Sequence, residues 1–197
     1  MLAAITRLRR LACHPRLDDP STTARSAKLD AAMELIEDLL AERQRALVFS
    51  QFTGHLALIR EALDARGHRY LYLDGSTPAA ERAHLVDEWA TGVPSLFLIS
   101  LKAGGTGLNL MGADMVLHLD PWWNPAVEDQ ATDRTHRIGQ TKPVTVVRLI
   151  AADTIEEAVV ALHAQKRELA RGLLDGADAA GALSTHELID LIREGDA

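Results

Sequence analysis

Five short, almost wholly apolar runs recur along the chain, and each is separated from the next by a longer segment. Runs of this kind are typical of strands that are buried on both faces of a sheet. They are residues 46–50, 70–73, 96–100, 115–119 and 144–150. Between the first three runs apolar residues recur at helical spacing, as in Leu56, Ile59 and Leu63. Because strands that alternate with helices are joined by right-handed crossovers, the sequence predicts an α/β fold, with a parallel sheet covered by helices on both faces.

The apolar runs lie in a central lobe, and the segments on either side differ from it in composition. The predicted units are a basic N-terminal helix and connector at 1–25, the lobe at 26–153, a long helix at 154–174 and a flexible acidic tail with a short helix at 175–197. Ser26 is a candidate N-cap for the first helix of the lobe. Thr154 and Glu157 have the spacing of a capping box at the start of the long helix.

A formal net charge of −7 does not exclude a nucleic acid as partner, because the acidic residues are concentrated at one end. Without residues 172–197 the chain is close to neutral, and its first sixteen residues hold four arginines and no acid. No apolar run reaches the roughly 18 residues of a membrane span, and the N-terminus has no signal-peptide core. Cys13 is the only cysteine, and no zinc-cluster spacing is present. These features predict a soluble intracellular domain without a membrane partner or metal site.

A glycine-rich segment follows the third apolar run, at residues 101–110 (LKAGGTGLNL). Such a segment suits backbone N–H groups that approach phosphate, although a simple tight turn explains it equally well. The chain has no Gly-Lys dipeptide and therefore no Walker A loop, and it has no G-x-G-x-x-G fingerprint. Asp87 and Glu88 resemble a Walker B pair, but their neighbours have helical spacing, so we interpret them as an exposed helix face.

Two arginines and two tryptophans lie in polar segments after the fourth apolar run. Arg134 and Arg137 are three residues apart and would share one face of a helical turn, which suits a polyphosphate ligand. Salt bridges to neighbouring acids, Glu128, Asp129 or Asp133, are the structural alternative, and on composition alone the more common outcome. Trp122 and Trp123 would either pack in the core or stack beside a base.

Six motifs, in order, give these segments a common identity. They are residues 8–15 (LRRLACHP), 46–53 (ALVFSQFT), 73–77 (LDGST), 100–110 (SLKAGGTGLNL), 120–125 (DPWWNP) and 133–140 (DRTHRIGQ). Together they resemble the second, C-terminal RecA-like lobe of Swi/Snf-type ATPases, which are superfamily-two DNA translocases. The resemblance covers residues 2–174, and DRTHRIGQ after DPWWNP is its most specific part. It departs from the family pattern at Leu101, where many relatives carry threonine.

The resemblance implies that ATP with magnesium is held mainly by a first lobe, which supplies the phosphate-binding lysine and the acidic metal-binding motif. Arg134 and Arg137 match arginine fingers that reach the phosphates across the cleft. Positions that match the nucleotide-lining motifs are Gly105, Gly107, Asn109 and Gln130. Positions that match the DNA-facing motifs are Ser50, Gln51, Gly75, Ser100, Lys102, Gly104 and Trp123. The helix at 154–174 resembles the segment that braces the second lobe against the first.

The sequence thus predicts one lobe of an ATP-dependent DNA translocase or remodeller, with the N-terminal lobe of the same protein, double-stranded DNA and a DNA-bound protein target as partners. Because Met1 falls inside an element that this family places between its lobes, we expect the chain to be a fragment. We expect it to be cytoplasmic, associated with the nucleoid in a bacterium or nuclear in a eukaryote. A non-catalytic module that binds DNA or protein is the alternative, and an RNA helicase lobe is disfavoured by DPWWNP and HRIGQ.

Overall fold

The computed structural model describes residues 2–104, 108–133 and 144–174. Its helices are α1 (Leu2–Cys13), α2 (Ala27–Ala41), α3 (Thr53–Ala65), α4 (Ala79–Ala90), α5 (Leu101–Gly104), α6 (Pro125–Asp133) and α7 (Ile155–Leu174), with a 3-10 turn at Pro15–Leu17. Its strands are β1 (Ala46–Ser50), β2 (Leu71–Leu73), β3 (Leu96–Ser100), β4 (Met115–His118) and β5 (Thr145–Arg148). The predicted acidic tail at 175–197 lies outside the described residues.

The five strands form one parallel sheet in the order β2-β3-β1-β4-β5. All five predicted strands are present, and three are one to three residues shorter than predicted. The central strand β1 is buried along its whole length, as its apolar run predicted. The sheet confirms the predicted RecA-like α/β architecture.

Alternate rows of side chains divide the core into two layers. Tyr72, Leu98, Val48, Leu117 and Val147 form one row across the sheet and pack against α2 and α3. The next row, which includes Leu47 and Phe97, faces the opposite way and packs with Trp89 of α4. Because side chains alternate along a strand, helices must cover both faces to bury both rows.

Hydroxyl groups at the helix starts perform the capping that the sequence predicted. Ser26 Oγ accepts a hydrogen bond of 3.2 Å from the amide of Leu29 at the start of α2. At α7, Thr154 Oγ1 accepts from the amide of Glu156 at 3.2 Å, and the Glu157 carboxylate accepts from the amide of Asp153 at 3.2 Å. Both bonds are displaced by one residue from an ideal capping box, so they serve the amides of Glu156 and Asp153 instead of those of Glu157 and Thr154.

The flanking helices α1 and α7 lie against each other beside the sheet. None of the helices in the described part of the chain is long and apolar enough to span a membrane. Asp87 and Glu88 lie within α4, with Asp87 exposed, which agrees with their interpretation as a helix face.

Candidate functional site: the carboxyl edge of the sheet

The carboxyl ends of β1, β3 and β4 bring three loops to one edge of the sheet. Ser50 and Ser100 end adjacent strands in register, and residues 119–124 follow the neighbouring β4. Ligands of open parallel sheets bind at this edge. The motifs that the sequence singled out after these strands are therefore neighbours in space.

Asp120 is the buried anchor of this edge. Its side chain is 1% exposed and accepts hydrogen bonds from Ser50 Oγ and from the amide of Gln51 at 3.1 Å. His55 Nδ1 lies 4.0 Å from one of its oxygens. Burial alone would raise the pKa of Asp120, but the nearby His55 and these hydrogen bonds hold the pKa below its ordinary value. The carboxylate thus ties the loop after β4 to the loop after β1.

The loop that follows Asp120 is fixed at almost every residue. The amide of Trp122 donates to Glu128 Oε1 at 2.7 Å, and His163 of α7 contacts the Trp122 carbonyl oxygen. Trp122 and Trp123 are both partly exposed, and Trp122 packs against the core layer that contains Trp89. The packing alternative is therefore the observed one for Trp122.

The predicted DNA-facing residues divide into a buried and an accessible group. Ser50 and Ser100 are 1% and 3% exposed, and their hydroxyls hydrogen-bond within the lobe. Gly104 is buried, and a Cβ there would lie 2.8 Å from Phe49 Cε1, so close packing alone requires a glycine. The accessible group comprises Gln51, Gly75, Lys102 and Trp123. Only this second group offers side chains or backbone directly to a ligand.

Most of the predicted nucleotide-facing residues lie outside the described residues. These are Gly105, Gly107, Arg134 and Arg137. Gln130 lies within α6, and Asn109 is exposed just before the buried Leu110.

Glu128, one proposed salt-bridge partner of the two arginines, is already engaged elsewhere. Its side chain is fully buried, and Arg148 Nε donates to Glu128 Oε2 at 2.7 Å. Arg148 Nη2 also lies 3.8 Å from Asp129 Oδ1. Nearby, His118 stacks on Phe49, and its burial lowers its pKa to about 4, so its imidazole is neutral at pH 7.

Cys13, His55 and Asp120 form a buried cluster whose donor atoms lie within 4.8 Å of one another. Two buried cations, Arg9 and Lys28, interact electrostatically with the Cys13 thiol. Burial raises the pKa of Cys13 far above its usual range, and its neutral thiol contacts Glu156 Oε1 at 3.8 Å. The carboxylates of Asp120 and Glu156 already balance the charges of Arg9 and Lys28. A divalent ion bound here would therefore add positive charge that no buried group compensates.

Sequence reasoning did not predict that Arg9, Glu128, Arg148 and His163 hold this edge; Glu128 was considered only as a salt-bridge partner of Arg134 and Arg137. Arg9 had one usable signal, since it lies four residues before Cys13 and thus on the same face of α1. Glu128 lies six residues after Trp122, whereas Arg148 and His163 come from segments more distant in sequence, and no local pattern links them to the loop after β4.

Comparisons with known proteins show the family to which the chain belongs. Residues 27–139 match the helicase conserved C-terminal domain. An uncharacterized ATP-dependent helicase of Mycoplasma pneumoniae is 37% identical over 193 residues, 97% of this chain and 19% of that protein. The chromatin-remodeling ATPase INO80 of Schizosaccharomyces pombe is 43% identical over 157 residues, 79% of this chain and 10% of that protein.

The fold is also similar to that of a solved structure, the Sulfolobus solfataricus SWI2/SNF2 ATPase core in complex with dsDNA. The TM-score is 0.74 at 33% identity, with 96% of this chain and 41% of that chain covered. The chain spans about a fifth or less of the length of these curated relatives. It belongs to the helicase conserved C-terminal domain family, as a Swi/Snf-type lobe homologous to chromatin-remodelling ATPases.

Proposed function

We propose that this chain is the C-terminal lobe of an ATP-dependent DNA translocase, and that the carboxyl edge of its sheet contacts duplex DNA. The observation that carries the proposal is the convergence of Gln51, Lys102 and Trp123, all accessible, on one edge of the sheet. An amide, a cation and an aromatic ring together suit a nucleic-acid backbone and the bases beside it.

The buried members of the predicted set have a supporting role in this proposal. Ser50 fixes Asp120, and Ser100 Oγ accepts from the amide of Ala103 at 3.4 Å in the short helix α5 that carries Lys102. They position the accessible groups and do not contact DNA through their hydroxyls. Gly75, on the loop after β2, extends the same track through its backbone.

ATP with magnesium is the substrate, and a first lobe of the same protein supplies the lysine and acidic motif that this chain lacks. Arg134 and Arg137 act as arginine fingers, and Gly105, Gly107, Asn109 and Gln130 line the nucleotide. The engagement of Glu128 by Arg148 supports the finger role, because it satisfies one acid that would otherwise compete for these arginines. A further partner is a DNA-bound protein, and the site of action is the nucleoid or the nucleus.

Arginine substitutions in the two-lobe enzyme test the ATP half of the proposal. Arg134→Ala or Arg137→Ala should reduce DNA-stimulated turnover by about 10³ to 10⁵, because a guanidinium stabilises the charge that develops on the transferred phosphoryl group. Lysine at either position should rescue poorly, since a point charge cannot reproduce the bidentate fork. Nucleotide affinity, measured on the same variants, should change little.

Arg69→Ala is a matched control, because Arg69 is exposed just before β2, at the opposite edge of the sheet. Its turnover should equal that of the parent. Turnover within about tenfold of the parent for both finger variants would return these arginines to a structural role and favour a non-catalytic binding module.

A further inference from the structure

Arg9 is buried although it carries a permanent charge. It lies on α1 with 4% of its surface exposed, while the adjacent Arg10 is exposed. Burial lowers the pKa of Arg9, an effect that the nearby Asp120 carboxylate opposes. Burying a guanidinium is costly unless its contacts compensate, so the contacts of Arg9 indicate what it does.

Those contacts all concern the edge described above. Arg9 Nη2 donates to the carbonyl oxygen of Pro121 at 2.6 Å. The guanidinium carbon lies 4.7 Å from the ring centre of Trp123 and 5.7 Å from that of Phe52. Arg9 therefore joins α1 to the loop after β1 and to the loop after β4. It contacts the loop after β4 in two ways, through the hydrogen bond to the Pro121 carbonyl oxygen and through the Trp123 ring.

We propose that Arg9 is a positioning residue that fixes the orientation of the Trp123 ring for its contact with DNA, an inference that rests on the proposed function. With 4% exposure, Arg9 itself cannot pair with a phosphate. Its cation–π contact with Trp123 restrains the ring from one side, and the hydrogen bond to Pro121 restrains the backbone that carries the ring. A loop on the sheet edge is thereby held from a helix outside the sheet.

Duplex-DNA binding by the 197-residue chain, measured over a range of salt, tests this role. Arg9→Gln should weaken binding about tenfold, in the range expected for loss of an aromatic contact with a base. The slope of log affinity against log salt should stay that of the parent, because no phosphate contact is removed. Combining Arg9→Gln with Trp123→Ala should weaken binding no further than Trp123→Ala alone.

Arg10→Gln is the matched control, since it removes the same charge from the next residue of the same helix. Any effect of Arg10→Gln on DNA affinity should disappear at high salt, because salt screens a charge on the surface. A decrease of about one in the salt slope for Arg9→Gln would identify a direct phosphate contact and refute the proposal. Additive effects of Arg9→Gln and Trp123→Ala would refute it as well.

Fluorine NMR of the chain labelled with 5-fluorotryptophan provides a readout without DNA. The chain has three tryptophans, and Trp123→Phe assigns the resonance of interest. Arg9→Gln should shift the Trp123 resonance and leave that of Trp89, which lies 3.9 Å from the guanidinium carbon of Arg45, in place. If the Trp89 resonance shifts too, Arg9→Gln has disturbed the whole fold. The Arg9→Lys variant, which keeps the charge but lacks the planar guanidinium, then serves as the test, and it should shift the Trp123 resonance alone.

An unmoved Trp123 resonance in folded Arg9 variants would overturn the positioning role. A Trp123 resonance that responds to Arg9→Gln but not to duplex DNA would instead refute the DNA contact, and with it the purpose assigned to Arg9. The two failures are therefore distinguishable.

Discussion

Two ion pairs join helix α2 to neighbouring helical segments, one near its start and one near its end, and the two differ in almost every respect. Near its start, Lys28 contacts the carboxylate of Glu156 on α7, with side-chain exposures of 3% and 1%. Near its end, Glu37 Oε1 lies 2.6 Å from Arg66 Nε, which follows α3, with both side chains 45% exposed. The same types of charge therefore join the same helix to two neighbours, once in the interior and once in water.

The buried pair is part of a network, whereas the exposed pair joins two helix ends on the surface. Lys28 Nζ also donates to the carbonyl oxygen of Leu149 at 3.2 Å, and Glu156 accepts from the amide of Ala151 at 2.9 Å and contacts Cys13. This network lies beside the Asp120 cluster and joins α1, α2 and α7. The difference teaches that burial, more than the identity of the charges, decides how much of the fold depends on a pair.

Breaking the buried pair should give the largest effect. Lys28→Met leaves the Glu156 carboxylate charged in the interior without its cation, so the free energy of unfolding should fall by about 3 to 5 kcal/mol. Urea unfolding at pH 7, followed by circular dichroism, measures the change.

The double variant Lys28→Met with Glu156→Gln is the matched control. It removes both charges and keeps an acceptor for the amide of Ala151, so much of the lost stability should return. A Lys28→Met loss below about 1 kcal/mol would place the buried pair in the range of surface pairs and erase the contrast.

His118 sharpens the comparison, because it is buried as a neutral group. Its side chain is 1% exposed, and burial lowers its pKa to about 4, against about 6.5 when unfolded. The unfolded chain binds this proton more readily, so the contribution of His118 to stability is complete above about pH 6.5 and falls as the pH approaches 4. From about pH 7 to about pH 4.5 the parent should lose about 2 to 3 kcal/mol through this residue.

Urea unfolding at both pH values, for the parent and for His118→Gln, checks the assignment. The variant should lose correspondingly less stability on acidification, although it starts lower because its stacking on Phe49 is gone. Asp120 does not contribute in this window, because its pKa lies below its ordinary value of 3.8 and it stays ionised. Equal losses in both proteins would show that other groups govern the acid response.

The sequence predicted the sheet well because its signal is local. An apolar run such as residues 46–50 can be buried on both faces only in the middle of a covered sheet, and β1 is the central strand. Helices α5 and α6 were not predicted, since glycines and polar residues obscure their periodicity. The order of the strands also depends on packing between distant segments.

The candidate site was predicted only in part, for a related reason. The DPWWNP motif predicted Trp123 as a DNA-facing residue and contains Asp120, but it did not indicate that Asp120 is interior while Trp123 is partly exposed. Arg9 and Arg10 are adjacent and chemically identical, and which one is buried depends on a loop more than one hundred residues away. Such pairings carry no local signal, so only the three-dimensional structure reveals them.

The exposed pair of α2 should give the smallest effect. Glu37→Gln removes its charge without changing its shape, and the free energy of unfolding should fall by about 0 to 1 kcal/mol, because water already screens both partners. Arg66 Nη1 keeps its hydrogen bond of 2.9 Å to the Ala62 carbonyl oxygen, so the end of α3 stays intact.

Urea unfolding at about 0.01 M and about 1 M NaCl separates the effect of charge from that of side-chain shape, because the Debye length falls from about 30 to about 3 Å between these two salt concentrations. The difference between parent and Glu37→Gln should vanish at high salt, whereas the Lys28→Met loss should persist, since salt cannot screen a pair that excludes water. A Glu37→Gln loss that exceeds about 2 kcal/mol or survives high salt would mean that the two ends of α2 are held alike, and burial would no longer explain the contrast.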